Sequence, residues 1–422
     1  HGLQADRRYQ IVQGSGAAKL WAPPKRSVRL VPSRLQGPDR KGSERMPLAA
    51  RAPLPILQYT DFEKRHHTLQ ERSGNPMLIN LWASWCSPCA GELQELAQWA
   101  PQLRAGGLEI IALSVDGLGD DGSSEEAAGE FRARFDFPFT WGLANPMLLD
   151  KLEILQNRLF DVRRPFSLPS SFLVDARGEL ATIYRGPVRM GDLLADLKSL
   201  EDGLDERRRT AAPFPGRWAT QAPRLSLGSI AMGFLEDDLL EDAAFYLAQS
   251  QRILAAEPEL SDPSYVEASN NLGVELAKQG RLKEAVVHYQ EALRIDPASV
   301  RAHSNLGAAL ASRGKLKKAI PHFRRALKIK PDDPELRSNL GAALFSRGLL
   351  DQAAAQLRRV LETHPGMAKT QYILGLVLAR QGKTAEATTH LRKALEIAAS
   401  EPESDLAVQI RRELRFLETD LP

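Results

Sequence analysis

The sequence predicts two architectures in series. The first is an α/β domain with a central mixed sheet flanked by helices, and the second is an all-α solenoid. Three observations predict them. The only two cysteines among the 422 residues, Cys86 and Cys89, stand three apart between an apolar run and a helix-forming run. Residues 52–202 alternate short apolar runs with helix-length segments, the pattern of strands and helices layered on one sheet. From residue 266 onward a Leu-Gly pair returns every 34 residues, the mark of a stacked repeat.

The first 51 residues read as the tail of a preceding β domain and a basic Pro/Arg-rich linker, and residues 15–55 are rich in Pro, Arg, Gly and Ser. Residues 1–51 hold 11 Lys and Arg against 3 Asp and Glu, so the formal charge of +3 belongs to this segment and the remainder is acidic. Regularly interleaved aromatics are missing from it, which favours a solvated linker over a nucleic-acid site. No run of about 18 apolar residues occurs, so the sequence predicts no transmembrane segment.

The α/β domain then unfolds in order. Met77 to Ala83 predicts a buried strand, and Cys89 to Leu103 a helix interrupted near Pro101. Leu108 to Val115 is a nearly continuous apolar run, which suits a central strand covered on both faces. Glu125 to Phe135 predicts a helix begun by Ser123 or Ser124, Phe137 to Trp141 a short strand, and Met147 to Phe160 a further helix. Phe172 to Val174 and Leu180 to Tyr184 predict a hairpin turning at Asp175-Ala176-Arg177-Gly178-Glu179. Met190 to Leu200 predicts a closing helix. Residues 203–224, with Arg207-Arg208-Arg209 and several prolines, read as an interdomain linker.

In the repeats, Leu272-Gly273, Leu306-Gly307, Leu340-Gly341 and Leu374-Gly375 keep one phase. Ala285, Ala319, Ala353 and Ala387 keep the same period, as do Pro297, Pro331 and Pro365. This is the tetratricopeptide (TPR) signature of two antiparallel helices per unit. Small residues let the two helices approach, Tyr289, Phe323, Leu357 and Leu391 fill the space between them, and the prolines end the second helix. Four units fit residues 266–401. A divergent first unit is expected over 225–265, and a capping helix with a polar outer face over 402–422.

The chemistry is expected at the dithiol. The N-terminus of a helix favours negative charge and so stabilises a Cys86 thiolate with an exposed sulfur. Cys89, one turn on, is expected to be the buried resolving thiol. Half a zinc site would need further ligands, and no second Cys pair or spaced His pair supplies them, so no metal is expected. Pro88 fits the first helical turn, where no amide donor is needed. Glu92, one turn past Cys89, is either the acid that handles the Cys89 proton or an ordinary Glu favoured by the helix dipole.

Trp82-Ala83-Ser84-Trp85-Cys86-Ser87-Pro88-Cys89, followed three residues later by Glu92, resembles the TlpA/ResA branch of thioredoxin-like thiol-disulfide oxidoreductases. Leu168-Pro169-Ser170-Ser171-Phe172-Leu173-Val174-Asp175 is similar to a second element of that family. The resemblance covers roughly residues 52–202. It implies a thioredoxin-like fold, a redox-active Cys86–Cys89 disulfide with no other cofactor, and Glu92 as the proton handler. It also implies a cis Pro169 beside the disulfide and a substrate groove at Trp85, Pro88 and Leu168. The segment Leu3 to Gly14 is similar to the end of the ASPIC/UnbV domain, which implies the C-terminal part of a larger exported protein.

The partners expected are a protein disulfide or dithiol substrate with its redox partner, and a peptide or protein on the TPR groove. There, Asn271, Asn305 and Asn339 occupy one position on successive first helices. Their amides either pair with the backbone of an extended peptide or touch no ligand. No nucleic acid is expected. The resemblance places the protein outside the cytoplasm. Two readings compete with an oxidoreductase that recruits its partner through TPRs. One is a TPR scaffold whose thioredoxin-like domain only docks. The other is a peroxidase, disfavoured because Ala83, three before Cys86, has no hydroxyl to hold a peroxide.

Overall fold

The computed structural model describes residues 31–32, 44–72, 74–119, 123–160, 166–203, 225–256, 262–398 and 405–419. The expected upstream β tail and residues 204–224 of the expected linker lie outside them. The chain divides into two compact units, Pro24–Ala268 and a second that begins at Ser269.

In the first unit β1 (Val31–Pro32) pairs in parallel with β8 (Ser167–Leu168) as a separate ribbon. The main sheet contains β2 (Glu44–Pro53), β3 (Gln58–Thr60), β4 (His66–Thr68), β5 (Met77–Trp82), β6 (Glu109–Ser114), β7 (Thr140–Leu143), β9 (Ser170–Val174) and β10 (Glu179–Arg185). Its order is β2-β10-β9-β5-β6-β7-β3-β4. Parallel pairs β5/β6 and β6/β7 sit inside antiparallel partners, so the sheet is mixed. All six residues of β5 are buried, as a strand covered on both faces requires. Leu78, Ile79, Leu81, Ile111, Leu113, Phe172, Leu173 and Ile183 are fully enclosed and make up the core around it.

Helices α1 (Ser87–Gln98), α2 (Ala100–Ala105), α3 (Glu125–Ala133), α4 (Pro146–Phe160) and α5 (Met190–Ser199) complete the α/β layers. The expected interruption separates α1 from α2 at Trp99, with Pro101 in the first turn of α2. Ser124, not Ser123, caps α3 by accepting from the Ala127 amide. The strand expected at Phe137 to Trp141 is displaced to Thr140–Leu143. The pairing with β6 sets these bounds, from Thr140 opposite Ile111 to Leu143 opposite Ser114, and Gly142 allows the close approach, since a Cβ there would lie 2.6 Å from the Tyr59 ring and 2.8 Å from Leu113.

One further expectation is corrected. Residues 44–53, read as linker, form the sheet-edge strand β2, antiparallel to β10. Its prolines suit an edge, where one row of amides needs no partner. Long-range ion pairs anchor it. Arg45 forks onto the buried Asp196 of α5, which also accepts from the Tyr184 hydroxyl. Arg51 bonds Asp175 at 2.6 Å and the Leu200 carbonyl at 2.6 Å.

The expected divergent first repeat is seen as the helix pair Leu227–Glu236 and Leu240–Ala256, which lies within the first unit. It packs on α4. Lys151 pairs with Asp242 at 2.9 Å, Arg158 with Glu236 at 2.5 Å, and the Tyr246 hydroxyl donates to the Pro53 carbonyl at 2.7 Å.

The second unit is a stack of helix pairs, and each Leu-Gly glycine lies against its partner helix. A Cβ on Gly273 would meet the Tyr289 ring at 2.5 Å, one on Gly307 the Phe323 ring at 2.9 Å, and those on Gly341 and Gly375 would meet Leu357 and Leu391 at 2.7 Å. The second helices stop at Ile295, Ile329 and Thr363, two residues before Pro297, Pro331 and Pro365. The last helix, Asp405–Thr419, buries Ile410 and Leu414 against Leu391 and Ala394. Its outer face is not wholly polar, since Val408 is 53% and Phe416 63% exposed. Among the described residues no helix is long and apolar enough to cross a membrane.

A Cβ on Gly228 would lie 2.4 Å from the Tyr265 amide nitrogen and 2.6 Å from the Ser264 carbonyl carbon, and backbone cannot yield as a side chain does. Gly228→Ala is expected to destabilise the first unit by about 1–3 kcal/mol, read as a lower urea midpoint at unchanged slope.

Candidate active site

Strand β5 ends at Trp82, and the chain turns through Ala83, Ser84 and Trp85 into α1. Cys86 is the N-cap of α1, and its sulfur accepts from the Cys89 amide at 3.3 Å. Cys86 and Cys89 are joined in a disulfide with Cα atoms 5.3 Å apart. Pro88 lies in the first turn, where its missing amide proton costs no hydrogen bond. Cys89 is buried as expected. Cys86, expected to expose its sulfur, is only 1% exposed. In the oxidised form that sulfur is turned back over the first turn of its own helix.

A buried carboxylate missed in the sequence holds this turn. Asp116, two residues past β6, accepts from the Ser84 amide at 2.9 Å, the Ser84 hydroxyl at 2.8 Å and the Ser114 hydroxyl at 2.6 Å. The sequence carries no signal for it, because it joins the Cys86 turn only through the parallel register of β5 and β6.

Glu92 points inward from α1 and is 2% exposed. One carboxylate oxygen, Oε1, accepts from the Val188 amide, and the other, Oε2, from Asn80 Nδ2, each at 2.9 Å. Burial pushes its pKa up to about 7, against the lowering effect of its hydrogen-bond donors, Ser171 included. Asn80 and Ser171 are fully buried on β5 and β9, and Asn80 Nδ2 also donates to Ser171 Oγ at 2.9 Å. Sequence reasoning passed over both. A polar residue inside an apolar strand was the available signal at Asn80.

Leu168-Pro169 is a cis peptide. Leu81 pairs with Ser170, so Pro169, immediately before β9, is level with Trp82, at the end of β5 that leads into Cys86. Leu168 is buried, and its backbone is in register with Pro32 of β1. Trp82 is a core residue, packed on Phe131 and Trp141 at centroid distances of 4.9 and 5.1 Å. Trp85 is half-buried, and its indole nitrogen is enclosed with no hydrogen-bond partner.

Cys86, Pro88, Cys89 and Glu92 thus share one helix, with Trp85 on the turn before it, Leu168 on β8 and Pro169 immediately before β9. Asn271, Asn305 and Asn339 lie in the second unit. Asn305 donates to Asn270 at 2.9 Å and Asn271 accepts from Arg301 at 3.3 Å, so these two amides already bond within the solenoid.

A mixed sheet whose central strand delivers a Cys-x-x-Cys disulfide to a helix N-terminus defines a redoxin of thioredoxin-like fold. Residues 50–183 match the AhpC/TSA family, and residues 273–312, 310–374 and 368–400 match TPR or tetratricopeptide repeat families. The thiol-disulfide oxidoreductase ResA of Geobacillus kaustophilus is 26% identical over 159 residues, covering 38% of this chain and 82% of that protein. ResA of Bacillus cereus is 28% identical over 137 residues, covering 32% and 69%. The crystal structure of YrrB, a TPR protein with an unusual peptide-binding site, is 25% identical, covers 44% of this chain and 90% of that one, and gives a TM-score of 0.38. The chain carries an AhpC/TSA thioredoxin-like redoxin domain related to ResA, followed by TPR repeats.

The raised Glu92 pKa has a stability consequence of definite sign. Unfolded, the carboxyl releases its proton near 4.5, whereas folded it keeps the proton to about 7. Raising the pH between these values therefore favours the unfolded chain. Glu92→Gln is expected to remove this loss. Relative to wild type, the oxidised variant gains on the order of 3 kcal/mol between pH 4 and pH 8, read from urea unfolding across that range.

Proposed function

We propose that the protein exchanges protein disulfides and dithiols through Cys86 and Cys89. The observation that carries this reading is the placement of the Cys86 sulfur on the first turn of α1, with the buried carboxyl of Glu92 on the same helix one turn past Cys89. In the reducing direction the Cys86 thiolate attacks one sulfur of a substrate disulfide, and the other sulfur leaves as a thiolate. Cys89 then gives its proton to Glu92 and attacks the Cys86 sulfur of the mixed disulfide. The substrate gains two electrons and is released as a dithiol, and the Cys86–Cys89 disulfide re-forms. Leu168 and Pro169 would align an extended substrate beside Cys86, with Trp85 and Pro88 at the rim.

The TPR module would recruit the substrate or the redox partner, raising its local concentration at the dithiol. A peptide backbone on the groove would exchange the Asn271 and Asn305 bonds for its own, with Asn339 continuing the row. The ResA relationship supports work outside the cytoplasm. The AhpC/TSA match leaves peroxide reduction a reading of the same fold, but Ala83 offers a peroxide no hydroxyl.

Equilibration in thiol buffers, with tryptophan fluorescence as readout, tests the reading. A reversible couple is expected and is lost in Cys86→Ser. A potential near or below about −250 mV marks a reductant, and one above about −180 mV an oxidant or isomerase. A pair that shows no reversible exchange would leave the TPR scaffold as the working part.

A further inference from the structure

The polar cluster around Glu92 contains one group left over. Asn80 Nδ2 donates to both Glu92 Oε2 and Ser171 Oγ, while Asn80 Oδ1 is buried with no partner. A buried amide oxygen left unbonded is costly and needs a reason.

We propose that Asn80 is a positioning residue for the Glu92 proton: its amide is held with Nδ2 on the carboxylate and on Ser171, leaving Oδ1 unbonded, and so eases release of the proton from Glu92. This rests on the reading of Cys86 and Cys89 as a redox couple. The geometry selects which oxygen takes the proton. Glu92 Oε1 is bonded to the Val188 amide, a backbone donor that cannot reverse. The proton therefore goes to Oε2, which faces Asn80. Two hydrogens cannot share that contact. Turning the amide would bring Oδ1 to the acid proton but strip Nδ2 of both its acceptors, so the amide stays in place and the acid hydrogen turns to the Ser171 hydroxyl. Ser171 follows, because its hydroxyl donates or accepts as required. The cluster thus holds Glu92 in either protonation state without moving α1 or the sheet, so the carboxyl can take up and release the Cys89 proton in place.

Few charges compete for this role. Glu95, on the same helix, acts on Glu92 and favours the protonated form. Strand β5 presents Asn80, β9 presents Ser171 and the segment before α5 presents the Val188 amide, none of which titrates. Cys86 and Cys89, on the same helix, add titratable groups once reduced.

The test uses the full chain and two readouts. One is the Glu92 carboxyl 13C shift against pH in the oxidised protein. The other is the pH profile of thiol alkylation in the reduced protein. Asn80→Ala removes a donor from the carboxylate and is expected to raise the Glu92 midpoint by about one pH unit, a tenfold change. The midpoint of the alkylation profile moves the same way, and in a Glu92→Gln background the substitution moves it no further. Asn80→Asp keeps the shape and is expected to split the Glu92 titration into two steps, since two carboxyls then share one proton. Should Asn80→Ala not fold, the near-isosteric Asn80→Asp decides alone. A Glu92 titration unmoved in the folded variants overturns the proposal. So does an alkylation shift that survives Glu92→Gln. The carboxyl titration reads the cluster whether or not wild type exchanges disulfides, so failure of the oxidoreductase reading stays distinguishable.

Discussion

The buried carboxyl of Glu92 is the constraint on which the redox half depends. A carboxyl removed from water must be given donors, and each of its donors here comes from a different element. Asn80 belongs to β5, Ser171 to β9, and the Val188 amide to the segment that enters α5. Satisfying Glu92 therefore fixes α1 against two strands of the sheet and the segment that enters α5. The same helix carries Cys86 and Cys89, so the dithiol inherits that fixed position. Asp116 does for the preceding turn what the cluster does for the helix, tying Ser84 to the end of β6. The disulfide is thus held on both sides in the chain, by the Asp116 bonds to the turn before Cys86 and by the Glu92 bonds on the helix after it.

Around this centre the first unit is closed by contacts of very large sequence separation. Arg45 and Arg51 fasten the edge strand β2 to Asp196, Asp175 and the end of α5. Lys151, Arg158 and Tyr246 fasten a helix pair of repeat-like sequence to α4 and Pro53. Most of these ionic contacts are at least half-buried, where a pair contributes more than at the surface but leaves a costly orphan if one partner is removed. The second unit follows a different rule. Its order is local and periodic, one glycine against one large side chain per helix pair, repeated at Gly273, Gly307, Gly341 and Gly375.

This contrast accounts for how legible each part was. The solenoid could be read almost residue by residue, because its contacts lie within one repeat and the repeats report one another. Strands β5, β6, β9 and β10 were legible as apolar runs, and the dithiol as a spacing. Strand β2 was not, since its residues have no apolar alternation and become a strand only through β10 and two arginine anchors. The helix pair at 227–256 was legible as two helices, but its packing on α4 was not, because those partners lie about ninety residues upstream.

The sequence by itself determined the element types, the repeat and the cysteine pair, since propensity, periodicity and spacing are properties of neighbouring residues. It also marked Glu92 as a residue one turn past Cys89. The tertiary structure alone decided that Glu92 is inside rather than exposed, that Asn80 and Ser171 meet it, and that Asp116 holds the Cys86 turn. Those outcomes depend on strand register. The Cys86 sulfur is enclosed for a separate reason, the fold of the first helical turn around the closed disulfide. A proton affinity such as that of Glu92 is set by the absence of water and the donors at hand, and neither exists until the sheet and the helix have closed on each other.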